Sequence, residues 1–408
     1  MKELVDNGLD ACEQAGIAPE ITVSFTGDAL AVSDNGPGIP PDVVTRVLDF
    51  STRTSDQAAY VSPTRGAQGN ALKTVLAIPY VRNPEQAAVI GIEAQGARHV
   101  ITVSTDHIAR RPRIEHLVEE IVKNEETSIR VRLDSCSSQA QHRNPGSLQR
   151  LLLDYSIFNP HATFTLEEGE ETQRFERTAP AWRKWLPSDP TSAHWYNPER
   201  LENLIASYVA AEHQGARPRT VREFVSEFRG LSSTQKQKKV VTAACLDRAY
   251  LHDLVTERGQ LDRSVVTRLL ARMKEESVPV KPDLLGVLGE EHFHHRLKAP
   301  QKDGASFRYK RITGMDGQGP PYVVECAFIM TDRPMQRGLH IGMNWSVALN
   351  NPIQENTFEL KDGGTVTGLH ALLASNRISP DRDPVCLAVH LICPKFHFLD
   401  RGKGSVRL

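Results

Sequence analysis

Along residues 2–13 apolar positions recur every three or four residues (Leu4, Val5, Leu9, Ala11) among polar ones, which predicts an amphipathic helix. Residues 21–25 and 29–33 alternate apolar and polar around Thr26-Gly27-Asp28, the pattern of a β-hairpin. An apolar helical run covers 72–78, and strand-like runs between turn residues cover 87–92, 99–105, 111–116 and 127–133. A helix is predicted over 148–155 and a strand over 163–166. A polar stretch rich in Glu, Thr and Pro at 167–190 reads as a domain boundary. From 198 to 291 the apolar spacing is helical, over 201–211, 221–228, 235–244, 251–257 and 264–276. Beyond residue 308, strands over 322–330 and 385–392 and a short helix over 368–375 are predicted.

Composition narrows the class. A chain of 408 residues has room for two or three cores, and 39% hydrophobic with 24% charged residues is the balance of a soluble globular protein. No apolar run approaches the ~20 residues that span a bilayer, and no signal peptide is recognisable, so a cytoplasmic protein without membrane contact is expected. The 6 cysteines lack metal-type spacing and read as reduced. Lys plus Arg (49) nearly balance Asp plus Glu (50), so any DNA contact must come from a local patch. Arg217, Arg219 and Arg222 with Lys236, Lys238 and Lys239 form two basic clusters that suit either such a patch or a solvated helix face.

Candidate chemistry concentrates at the start. Gly66 and Gly69 precede the 72–78 run, where close backbone approach and a helix N-terminus could cradle a polyphosphate. The Walker pattern fails, because Leu72 rather than glycine precedes Lys73. Glu3, Asn7 and Asp10 share one helical face. A carboxylate and an amide oxygen so placed could activate water and complete a magnesium shell, or simply face solvent. Asp34 ends a strand before Gly36 and Gly38, which suits a carboxylate accepting from the amino group of a flat ring, or a loop rich in breakers. Glu291-His-Phe-His-His295 has no second ligand cluster, which argues against a metal centre.

Together, Glu-Leu-Val-Asp-Asn-Gly-Leu-Asp-Ala (3–11), Asp-Asn-Gly-Pro-Gly (34–38) and Arg-Gly-Ala-Gln-Gly (65–69) resemble the three nucleotide boxes of the Bergerat-fold (GHKL) ATPases, in order. Within that superfamily the chain is similar to the family of DNA topoisomerase VI B subunits, with Tyr-Ser-Ile-Phe-Asn-Pro-His-Ala (155–162) and Pro-Tyr-Val-Val-Glu-Cys (321–326) adding to the likeness. The resemblance implies an α+β chain with a Bergerat-fold α/β sandwich ATPase domain over 1–170 and a linker over 171–195. A helix–two-turn–helix-like domain over 196–290 and a second α/β, transducer-like domain over 291–408 would follow.

Carried over by position, Glu3 would be the general base and Asn7 the magnesium ligand, with Asp10 on the same cofactor-binding face. Asp34 would hold the adenine amino group, Gly36 and Gly38 would let the chain pass close to the nucleotide, and Thr127 would lie on the adenine side. Arg65, Gly66, Gln68, Gly69, Asn70 and Ala71 would form the phosphate loop, Ala71 standing where the family has a third glycine. Residues 50–63 would be a lid, and Lys403 the lysine that reaches the γ-phosphate. ATP and magnesium are the implied cofactors, and an ATP-dependent homodimer, DNA and a separate DNA-cleaving protein the implied partners. Family members carry sequence upstream of the catalytic helix and a long closing helix towards the DNA-cleaving protein. The expectation is therefore an ATPase domain lacking its N-terminal part, with the cleavage partnership in question. Two functions remain open: an ATP-gated dimerising clamp on DNA, or a nucleotide-gated regulatory or effector protein that binds DNA or protein without topoisomerase activity.

Overall fold

The computed structural model describes residues 1–26, 29–48, 59–65, 75, 88–106, 111–122, 126–132, 146–297, 307–317, 319–360, 362–380, 382–398 and 405–407. Helix α1 (Lys2–Gln14) buries Leu4, Val5, Leu9 and Cys12. It ends where Gly16 turns left-handed (φ 71°) and Ile17 N donates back to Cys12 O at 2.9 Å, a conformation glycine adopts without strain. The hairpin β1 (Glu20–Thr26) and β2 (Ala29–Asp34) follows, with Ile21 and Val23 buried beneath α1. After α2 (Pro41–Val47) come β3 (Ala88–Ala94), β4 (Ala97–Asp106), β5 (Arg111–Glu120), β6 (Thr127–Arg132), α3 (Gly146–Phe158), β7 (Thr163–Glu168) and β8 (Glu171–Phe175).

These strands form an 8-stranded sheet in the order β5-β4-β3-β6-β2-β1-β7-β8. The β1–β7 pairing is parallel; the other neighbours are antiparallel. The alternation expected of half-buried strands is present, Ile129 and Val131 facing in while Arg130 and Arg132 face out. β5 extends beyond the expected 111–116 because its whole length pairs with β4.

The stretch at 171–195, expected as a linker, supplies edge strand β8 and then packs closely. Trp185 N donates to Leu285 O at 3.1 Å and Trp182 Nε1 to Val287 O at 2.7 Å. Helices α4 (Pro198–His213), α5 (Val221–Ser226), α6 (Thr234–Ala243) and α7 (Arg263–Glu275) follow. They are capped by Asn197, Thr220, Ser233 and Asp262, and Thr220 with Glu223 closes a capping box. The helix expected over 251–257 does not form. A 3₁₀ turn at His252–Leu254 leads instead into a Val255–Leu261 bridge. Asp253 accepts from Tyr250 N at 2.8 Å, and Gly259 (φ 73°) turns the chain, so local turn chemistry outcompetes helical spacing.

Helix α8 (Glu290–Arg296) leads to β9 (Arg308–Met315), β10 (Pro321–Met330), β11 (Gly338–Met343), β12 (Ser346–Val347), β13 (Thr357–Glu359), β14 (Thr365–Thr367), α9 (Leu369–Ser375), β15 (Val385–Ile392), β16 (His397–Phe398) and β17 (Val406–Arg407). A second, 5-stranded sheet has the order β12-β11-β15-β10-β9. β15 is buried along its entire length. Helix α3 lies between the sheets, packing on β7 and β8 as well as on β11 and β12. A Cβ on Gly342 of β11 would lie 2.6 Å from the Phe158 ring, so glycine there permits the close approach. Among the described residues, no helix is long and apolar enough to cross a membrane.

Candidate functional site

The first sheet places the end of β2 beneath α1. Gly8 makes this contact possible: a Cβ there would meet Asp34 Cβ at 3.0 Å and Asp34 Oδ2 at 3.2 Å. Glycine costs a helix interior up to about 1 kcal/mol, so its presence in α1 marks close packing with Asp34. Gly36 serves the same carboxylate from the other side. Its N–H donates to Asp34 Oδ1 at 3.0 Å, and a Cβ would lie 2.7 Å from that oxygen. Thr127 is paired with Asp34 across β2 and β6, is buried, and donates its hydroxyl to it. Asn35 pins the turn by accepting from Glu20 N at 2.8 Å and donating to Ala18 O at 3.0 Å. Gly38 takes φ 82° and leaves no room for a side chain beside Gln95, whose Nε2 donates to Pro37 O at 3.0 Å.

Burial pushes the Asp34 carboxyl up and Glu126 adds to this, partly offset by the donors Gly36 N–H and Thr127. The structure therefore holds a desolvated acceptor packed between Gly8 and Gly36. On the outward face of α1, Glu3 is half-exposed in the first turn, with Lys2 Nζ at 3.5 Å, and Asn7 is exposed one turn further on. Asp10 completes that face but is engaged by Lys184 at 3.3 Å and by Arg65.

Arg65, expected in the phosphate loop, turns its guanidinium under α1. It is fully buried and bonds Asp10, both oxygens of Glu13 at 2.6 Å each, and Asn159 Oδ1 at 2.6 Å. Lys184, also buried, lies 2.7 Å from Glu13 and 4.8 Å from the centre of the Trp345 ring. Burial pushes the Glu13 carboxyl up, but Arg65 and Lys184 overcome this and hold it well below the usual range. His161 donates Nε2–H to Glu13 at 2.8 Å, and burial keeps the imidazole neutral by lowering its pKa. Sequence reasoning assigns no role to Glu13, Asn159, His161 or Lys184, although Asn159 and His161 lie in the 155–162 run and Gly8, a glycine inside a helical pattern, signals close packing.

The α1 face, Asp34, Gly36, Gly38, Thr127 and Arg65 are thus brought to one end of the first sheet. Gly66, Gln68, Gly69, Asn70, Ala71, the first part of the 50–63 lid and Lys403 lie outside the described residues. Among the described residues, no group of three or more His, Cys, Asp or Glu could hold a metal ion. His292 instead joins the core, its Nε2 donating to Ile157 O at 2.7 Å and its Nδ1 lying 2.6 Å from Thr178 Oγ1. Asn7, exposed beside Glu3, suits magnesium held chiefly by phosphate oxygens and water, which needs few protein ligands.

No family model matches the chain. The B subunit of type 2 DNA topoisomerase 6 from Archaeoglobus fulgidus is 28% identical over 345 residues, 80% of this chain and 52% of that protein. The same-named protein of Methanosarcina barkeri is 27% identical over 309 residues, 73% of this chain and 46% of that protein. That of Saccharolobus islandicus is 25% identical over 343 residues, covering 80% and 60%. The chain thus spans about half the length of the curated relatives it matches. Among solved structures, the 43K ATPase domain of Thermus thermophilus gyrase B in complex with an aminocoumarin matches with a TM-score of 0.35 and 13% identity, over 99% of this chain and 77% of that one. The fold is read from the strand order above, not from that likeness. The three boxes and these relatives make the chain similar to the Bergerat-fold (GHKL) ATPases as a class. Within that class the chain resembles the DNA topoisomerase VI B subunits.

Proposed function

We propose that the chain binds ATP with magnesium at the α1–β2 cleft and hydrolyses it. One observation carries this: Asp34 is held desolvated between Gly8, Gly36 and Thr127, packed against the helix whose outward face bears Glu3 and Asn7. In this reading Asp34 accepts from the adenine amino group, while Gly36 and Gly38 let the chain pass close to the nucleotide. Glu3 takes the proton of the attacking water, and Asn7 supplies an oxygen to magnesium, which would neutralise phosphate charge when bound. Residues 66–71 would offer backbone N–H groups to the β- and γ-phosphates, and Lys403 would approach the γ-phosphate. ATP would order the lid and draw two copies into a clamp on DNA, with hydrolysis releasing it. Strand cleavage would belong to a separate protein.

The assignment of the base is tested by Glu3→Ala. Removal of a general base lowers turnover by ~10²–10⁴-fold with nucleotide affinity retained; turnover that survives undiminished contradicts the assignment.

A second reading, a nucleotide-gated regulatory or effector protein, is favoured by the pairing within the basic clusters. Arg217 lies 2.9 Å from Glu223, Lys239 3.7 Å from Glu276, and Arg219 bonds Glu227. Salt-dependent retention of duplex DNA by the ATP-loaded chain supports the clamp; its absence supports the effector.

A further inference from the structure

Three consecutive residues of the second sheet reach across to the segments that carry the nucleotide boxes. Asn344, Trp345 and Ser346 lie at the turn between β11 and β12, and the first two have positive φ, 46° and 65°. Positive φ at both central positions of a two-residue hairpin is the type I′ geometry, whose second position ordinarily takes glycine. A bulky residue keeps that conformation only where its surroundings over-determine it. Here the indole is fully buried and Nε1 donates to Gly286 O at 3.1 Å, while the backbone N–H of Trp345 donates to His390 Nε2 at 3.2 Å. His390 in turn lies 3.2 Å from Glu325, which accepts from Leu288 N at 3.0 Å and Gly289 N at 2.8 Å. The turn is therefore anchored from behind and has one geometry.

Each of the three residues then grips a different part of the candidate site. Asn344 Nδ2 donates to Thr64 O at 3.2 Å and to Cys393 O at 3.0 Å, while Oδ1 accepts from Cys393 N at 3.0 Å. The Trp345 carbonyl accepts from Asn159 Nδ2 at 2.9 Å, and Asn159 Oδ1 accepts from Arg65 at 2.6 Å. Ser346 Oγ donates to Asp6 Oδ2 at 2.6 Å, whose other oxygen accepts from the Tyr155 hydroxyl at 2.9 Å. Thr64 and Arg65 lead into the glycine loop, and Asp6 sits on α1 between Glu3 and Asn7.

We propose that the Asn344-Trp345-Ser346 turn is a positioning element of the nucleotide site, fixing Thr64 and Arg65 and how α1 presents Asn7 to the triphosphate. This rests on the ATP reading above. The turn touches no part of the nucleotide; it acts through Thr64, Arg65 and Asp6. Its effect therefore falls more on the phosphates than on the base, because the groups it bonds are Thr64, Asn159 and Asp6 and not Asp34.

The test uses the full chain and two probes, a non-hydrolysable ATP analogue with magnesium and adenosine alone, whose affinities are measured by calorimetry and ligand-observed NMR. Asn344→Asp keeps the acceptor for Cys393 N–H and removes the donor to Thr64 O and Cys393 O. It is expected to weaken the analogue about 10-fold while adenosine affinity stays within about twofold, the loss of roughly one hydrogen bond's worth. Ser346→Ala, which removes a single hydroxyl, is expected to act in the same sense, and Ser346→Thr to restore binding. If Asn344→Asp fails to fold, Ser346→Ala decides. A merely structural role would weaken both probes together, and that result, or unchanged affinity for both, overturns the proposal. A wild-type chain that binds neither probe overturns the ATP reading and this inference with it; a wild type that binds both while the variants fail to discriminate overturns the inference alone.

Discussion

Asp34 is held in place at a cost to the fold. Its carboxyl pKa is raised by burial, so the folded chain takes up a proton more readily than the unfolded one. Ionised Asp34 therefore lowers stability at neutral pH, and that penalty is relieved as pH falls through its raised pKa. An acceptor kept charged against its surroundings is what recognition of an amino group requires. Asp34→Asn is accordingly expected to raise the thermal midpoint and to weaken ATP binding by about 10- to 100-fold, the worth of a hydrogen bond to a charged group. Calorimetry on the two proteins checks both halves, and a variant that is less stable with unchanged affinity contradicts the reading. Arg65 is the opposite case, a charge whose partners offset its burial. Arg65→Met leaves Asp10 and Glu13 with Lys184, and Glu13 with the His161 N–H, and is expected to cost about 3–5 kcal/mol in denaturant unfolding; a change under about 1 kcal/mol would show that the pairs are not coupled. Glu3, Asn7 and Asp34 are proposed from the sequence because each sits in a short local pattern. Glu13, Asn159 and Lys184 are not, because their partners lie 52, 94 and 174 residues away in the chain and no local spacing records such pairs.

At the level of elements, α3 is what joins the two sheets, and one ion pair locks it to β11. His340 Nδ1 lies 2.5 Å from Asp154 Oδ1 and Nε2 lies 2.8 Å from Gln336 O. Both partners are acceptors, so both ring nitrogens carry protons and the imidazole is charged. Burial opposes that charge, but Cys386 and Asp154 outweigh it and raise the pKa to about 10. A histidine raised on folding contributes stability that is fully present below its unfolded pKa of ~6.5 and is lost as pH rises through the folded value. The thermal midpoint of the wild type is therefore expected to fall between about pH 7 and pH 10 more steeply than that of Asp154→Asn. Parallel curves would contradict the assignment. The strands and most helices are legible from period and caps, whereas residues 251–257 are not. There Asp253, Thr256 and Gly259 offer the backbone side-chain and turn alternatives that a count of apolar spacing ignores. The Glu291–His295 run likewise gives no sign that His292 serves as a neutral core residue, its pKa lowered by burial to about 4.

On the scale of the whole molecule, the two sheets and the helices between them meet at one buried polar hub built from Glu13, Arg65, Asn159, Lys184 and the Asn344–Ser346 turn. Such a hub ties Thr64 and Arg65 to the C-terminal sheet. The resemblance to the class is legible from sequence because three short patterns occur in order, none of them specific by itself. The coupling between domains is not legible, because it is built from carbonyls, a strained turn and single side chains spread over the chain. The most direct test of the account is a structure of the chain with a non-hydrolysable ATP analogue and magnesium. The account predicts the adenine amino group on Asp34, with the ring passing Gly36 and the triphosphate running towards Arg65 beneath Glu3 and Asn7. A nucleotide bound elsewhere, or an Asp34 that contacts no part of it, would contradict the account.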